Sequence, residues 1–172
     1  TATQEIFSDS SMIEAFVRND STIIEVISDF ADANLASNLN YQQMPALLNE
    51  VLSYYYHTGS PVPAAPSGTL LAYVSIKPSA YLQTIVKGLK LKNAQLEAAV
   101  TNTNRDSAVK ANLVAEQLQM GTNNIANLEA VFSGTKDTLL MVMKADTLQS
   151  GNILLFNTTA RAGFSNNNLS AS

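Results

Sequence analysis

Cysteine is absent from this chain of 172 residues. Disulfides, a thiolate nucleophile and cysteine-based metal sites are therefore excluded. The absence assigns no compartment, because a chain of this length buries about 70% of its unfolded surface and needs no covalent staple. Charge is scarce as well. Asp, Glu, Lys and Arg make up 14% of the residues, against about 25% in an average globular protein. Histidine occurs once, as His57. No apolar run approaches the roughly 20 residues that a spanning helix requires, so no membrane-spanning helix is expected. No secretory leader is recognisable, and loss of an initiator methionine or of a longer leader is expected before Thr1.

Amides and hydroxyls take the place of the missing ions, with 17 Asn, 17 Ser and 14 Thr in the chain. Neutral polar surface repels copies of itself weakly and costs less to desolvate than Lys or Glu. The centres of protein interfaces are depleted in charge for the same reason. Packed arrays such as exported filaments and virion coats suit such a surface, and so does an extracellular or virion setting. A compositional bias without a role is the plain alternative. The formal net charge of −4 is unevenly spread. Residues 1–60 carry eight acids against Arg18, a balance of −7, whereas residues 61–172 carry six acids and nine bases, a balance of +3. The acidic part of one copy can attract the basic part of another, or the two can meet within one copy.

Apolar periodicity points to a mainly α chain. Ser11 and Glu14 have capping-box spacing, as do Thr22 and Glu25. They predict a short helix over Met12–Arg18 and a longer one to about Ser37, with Ile23, Ile27, Phe30 and Ala31 on one face. Pro45 suits the first turn of a third helix, striped by Leu47, Leu48, Val51, Leu52 and Tyr55 and capped by Gly59. Three prolines and two glycines make 58–68 a loop. Residues 69–77 alternate in period two and predict a short strand, ended by Pro78, after which Ser79 can cap a helix. Within 80–133, Ile85, Leu89, Leu96 and Val100 form one heptad-like seam, and Val114, Leu118, Ile125, Leu128 and Phe132 form another. They predict two long helices meeting near Asn102–Asp106, or one continuous helix. Residues 138–145 suit a strand or a short helix, and 152–159 read as a strand reached through a turn at Gln149–Asn152. Residues 1–8 read as a loose arm and 160–172 as a mobile polar tail. The expected whole is a single domain, 1–172: an antiparallel helix bundle on two long central helices, with a small two- or three-stranded sheet at one end.

Chemistry-bearing patterns are thin. His57 follows Tyr54, Tyr55 and Tyr56 without an adjacent orienting partner, so a surface histidine at a helix end is a simpler reading than a general base. The carboxylates are scattered, mostly at expected helix starts, where they complement the dipole. Ser133-Gly134-Thr135-Lys136 lacks the upstream glycine and the residue order of a phosphate loop. No metal-ligand spacing occurs. No enzyme, cofactor or metal is expected. Two groups remain as candidate interface. Tyr54, Tyr55 and Tyr56 could anchor a contact. Lys87, Lys90 and Lys92 could contact phosphates or acids, although on a helix only Lys87 and Lys90 would be neighbours. The net negative charge argues against a dedicated nucleic-acid binder, while an acidic coat with a small basic groove stays open. Asn123-Asn124-Ile125-Ala126-Asn127 is similar to a short signature of flagellar rod and hook proteins. The likeness spans five residues and implies no function for the chain. The expected role is a non-enzymatic structural or assembly subunit, of virion coat or exported filament type, partnered by copies of itself. A helical protein-binding module and a small-molecule carrier with a pocket inside the bundle are the alternatives.

Overall fold

The computed structural model describes residues 11–53, 66–79, 82, 84, 87–103, 106–165 and 168–171. It is a β meander. The strands are β1 (Met12–Arg18), β2 (Ser21–Ile27), β3 (Ala31–Ser37), β4 (Gly68–Ile76), β5 (Leu89–Asn102), β6 (Ser107–Met120), β7 (Asn123–Thr135), β8 (Thr138–Ser150), β9 (Ile153–Ser165) and β10 (Asn168–Ala171). One helix, α1 (Met44–Ser53), stands between β3 and β4. Each strand pairs antiparallel with its neighbours in the chain, so the sheet runs in order from β1 to β10 without a crossover.

Two-residue turns make this order possible. Asn19 and Asp20 both have positive φ, 51° and 59°, as a mirror-image hairpin turn of type I′ requires. They close Arg18 onto Ser21. Gly121 and Gly151, also at positive φ, open the turns that close Met120 onto Asn123 and Ser150 onto Ile153. No atom lies within 4 Å of where a Cβ would stand on either glycine, so backbone conformation alone favours glycine there.

α1 packs on one face of the sheet. Its Leu47 and Val51 are fully buried, with Leu39, Met44, Leu70 and Val100 closing the core and Ile24, Leu35 and Val109 packed against it. Asn40 caps the helix: its Oδ1 accepts from the amides of Gln42 and Gln43 at 3.1 and 3.0 Å. Gln43 Oε1 accepts from the Asn40 amide in return, at 3.2 Å. This is the reciprocal pattern of a capping box. Asn102 on β5 donates to Glu50 at 3.3 Å and ties the helix to the sheet. At ten residues, α1 is about 15 Å long at 1.5 Å per residue. The central strands have 13 or 14 residues, about 45 Å at ~3.3 Å each. A second apolar cluster therefore forms on the sheet itself, from Ala94, Ala115, Leu128 and Ala130 with Leu91, Leu113, Leu118, Ile125, Phe132 and Met143 around them.

The expected helix bundle is overturned. Met12–Arg18 is β1, the span Thr22–Ser37 holds most of β2 and all of β3, and 80–133 holds all of β5 and β6 and most of β7. Residues 138–145 are strand, and 160–165 complete β9 where a loose tail was expected. The helix through Pro45 and the strands at 69–77 and 152–159 are present. Ser79 does accept from the Leu82 amide, at 3.2 Å. The arm 1–8 and residues 58–65 of the proline loop lie outside the described residues. The misleading heptad spacing has a physical origin. Asn93, Asn127 and Asn157 sit inside β5, β7 and β9 at φ 49°, 50° and 49°. A left-handed residue inside a strand reverses which parity faces the core. Leu91 and Ala94 therefore share one cluster, and so do Ile125 and Leu128. Steps of three among steps of two imitate helical period.

Two substitutions test this packing. Leu47→Ala should lower unfolding free energy by about 2–5 kcal/mol in chemical denaturation. Gly68→Ala should also destabilise, by roughly 1–3 kcal/mol, because its Cβ would stand 2.5 Å from Cγ of the buried Leu39.

Candidate functional site

Tyr54, Tyr55, Tyr56 and His57 lie outside the described residues. Lys87 is exposed in the turn before β5, and Lys90 and Lys92 are exposed two residues apart on β5, hence on one side of it. That is the reverse of the expected helical grouping. Lys92 donates to Glu116 on β6. Lys77 Nζ lies 2.6 Å from Asp32 and Lys144 Nζ 3.6 Å from Glu129. Three lysines are thus matched by carboxylates on neighbouring strands, which works against the uncompensated cationic stripe that phosphates would need.

The positive-φ asparagines and two acids form a row across the sheet. Register sets Asn93 opposite Glu116, Glu116 opposite Asn127, Asn127 opposite Asp146, and Asp146 opposite Asn157. None of these pairs joins the ladder. Side chains tie the row instead: Asn93 donates to Glu116, and Asn127 donates to Asp146 at 2.8 Å. Asparagine tolerates the left-handed region better than other side chains, and its amide reaches the acid on the next strand. The hydrogen bond from Lys92 is the largest of the effects that hold the Glu116 carboxyl below its ordinary value. The Asn93 amide and the Lys92 charge add to it, and desolvation partly opposes it. The row is a structural seam. Among the described residues no three of His, Cys, Asp and Glu gather as metal ligands would.

On the face away from α1, small side chains beside large ones leave a trough of about 680 Å³. Ala36 and Ala99 line its low part, and Leu71, Tyr73 and Val131 rise around them. Glu97 and Lys110 stand at its side, both exposed. Asn112 Oδ1 is buried there and accepts no hydrogen bond from the described residues. Such an orphaned acceptor carries a desolvation cost that a donor from outside would relieve.

The third feature is the margins of the sheet. Every residue of β1 is exposed, including Met12, Ile13, Phe16 and Val17. At the other margin β10 covers only residues 162–165 of β9. Ile153, Leu154, Leu155 and Phe156 are exposed on the remainder. Among the described residues nothing pairs with either outer edge. Neither stretch contains proline or lysine, residues that commonly block strand addition. Sequence reasoning missed the β1 edge because the capping-box spacing of Ser11 and Glu14 pointed to a helix there, and it read 152–159 as a strand without placing it at a margin. The Asn19-Asp20 turn was the available signal, since a hairpin there makes Met12–Arg18 a strand with one free side.

The seam generates two predictions. Asn127→Val should cost about 1–3 kcal/mol more than Asn127→Gly in thermal or denaturant unfolding, because a β-branched residue resists positive φ. A depressed carboxyl pKa stabilises above the unfolded value and loses that contribution as pH falls through the folded value. Acidification should therefore destabilise the parent chain more than Glu116→Gln at low ionic strength, with the gap narrowing in high salt. No protein-family model matches the chain, and neither the curated proteins nor the solved structures contain a match to it.

Proposed function

We propose that this chain is a non-enzymatic subunit that joins copies of itself through the edges of its sheet. The observation that carries the reading is β1, a seven-residue strand exposed along its whole length with its outer side unpaired among the described residues. Unpaired amides and carbonyls on an outer strand are a template for another strand. The exposed apolar side chains concentrate at the same two margins, and large exposed apolar patches mark contact surfaces. The ion-poor surface lowers repulsion between copies. Acids predominate at the first margin, where Glu14, Asp20, Glu25, Asp29 and Asp32 outnumber Arg18 on β1–β3 and their turns, whereas Lys144, Asp146 and Arg161 are mixed in sign on β8 and β9. The long central helices expected to assemble a coat or filament are the strands β5, β6 and β7, so the proposal is confined to an edge-joined homo-oligomer. No helix among the described residues is long and apolar enough to cross a membrane.

The trough supports a second reading, a site for an apolar group carrying a hydrogen-bond donor, because Asn112 Oδ1 is buried there without a partner among the described residues. Light scattering after size exclusion separates the two. The edge reading expects a mass that rises with protein concentration above that of one chain. A mass of one chain at every concentration and ionic strength rejects it and leaves the trough reading.

A further inference from the structure

The geometry points to β1 pairing with the β1 of a second copy, antiparallel about a two-fold axis through Phe16. This inference rests on the edge-joining reading and names which edge, register and partner it uses. The Asn19–Asp20 turn closes on Arg18 and Ser21. An antiparallel ladder alternates, so the even-numbered residues of β1 turn their backbone groups toward β2, and Ile13, Ala15 and Val17 turn theirs outward. A second β1 can therefore bond only through those odd positions. Antiparallel registers that satisfy this place an even residue opposite an even residue.

Charge selects among them. Glu14 stands directly opposite Glu25 in the β1–β2 pair, and like charges in that position repel. Asn34 Nδ2 reaches Glu25 at 3.3 Å, and neither Glu14 nor Arg18 has an ion pair among the described residues. Centring the axis on Phe16 sets Glu14 against the partner's Arg18, and Arg18 against the partner's Glu14. Each Glu14 is then flanked by one acid and one base. Phe16 meets the partner's Phe16 on the same face, continuing a row begun by Ile23, its cross-strand neighbour on β2. On the α1 face, Val17 meets the partner's Ala15. Shifting the axis to Ala15 places Glu14 against the partner's Phe16 and loses both ion pairs. Such a contact is self-complementary and closes as a dimer of two sheets.

The absence of cysteine allows a direct test. Residues opposite each other outside the hydrogen-bonded positions lie ~4.5 Å apart at Cα, within the roughly 4.4–6.8 Å range of disulfides. Under mild oxidation Phe16→Cys should form a covalent dimer at least about tenfold faster than Ile13→Cys, whose two copies lie ~20 Å apart at ~3.3 Å per residue. Arg18→Glu alone and Glu14→Arg alone should each weaken dimerisation about tenfold, and the double variant Glu14→Arg/Arg18→Glu should restore it. Equal cross-linking at both positions, or singles that associate like the parent, overturns this register and leaves association through β9. A parent chain that is a monomer throughout overturns the edge reading itself. Unchanged thermal unfolding of the charge variants shows that folding is not what they alter.

Discussion

Hydrogen bonding between strands that are neighbours in the chain holds this molecule together. Helix α1 covers one end of one face, and the largest fully buried side chains, Leu47 and Val51, both come from it. Elsewhere most of the larger apolar side chains are half-buried on the sheet, packed around the buried Ala94, Ala115, Leu128 and Ala130. Backbone pairing must then be nearly complete, because unpaired amides at buried positions cost more than such shallow packing returns. Among the described residues the ladders are continuous over most of the paired lengths and break at the seam and at the margins. At the seam, asparagine and carboxylate side chains replace the missing ladder bonds. At the margins nothing among the described residues does, and the functional reading follows from that contrast.

Parts of this architecture were legible in the chain. Pro45 with the apolar spacing of Leu47, Leu48 and Val51 announced α1, and the strict alternation of 69–77 announced β4. Gln149–Asn152 announced the turn between β8 and β9. The long strands β5 and β7 were not legible, because Asn93 and Asn127 each reverse the inward parity midway. A period of two interrupted once per strand matches helical templates about as well as strand templates. Asn19-Asp20, Gly121-Thr122 and Gly151-Asn152, each lying between apolar-rich runs, were the stronger signals. Turn chemistry outweighs apolar spacing when the two disagree.

The candidate surfaces were less legible than the fold. Lys87, Lys90 and Lys92 drew attention as a cluster, yet Lys92 is matched by Glu116, a partner 24 residues away that only register reveals. The value of Glu14 and Arg18 likewise depends on knowing that Glu25 stands opposite Glu14. Sequence did hold the general property, an ion-poor surface with its acids gathered early in the chain. It could not say that Glu14 and Arg18 would lie on an outer strand.

An order of strands without a single crossover has a further consequence. Each strand touches only its neighbours, so stability accumulates along one dimension, as in repeat proteins. Opening can then proceed from either margin inward like a zipper, leaving the β5–β7 centre, where the second apolar cluster lies, as the last region to exchange its amide protons. Sequence-local pairing of this kind also keeps loop-closure entropy low. The meander can grow hairpin by hairpin as the chain emerges, with its two ends remaining the most open parts of the finished sheet.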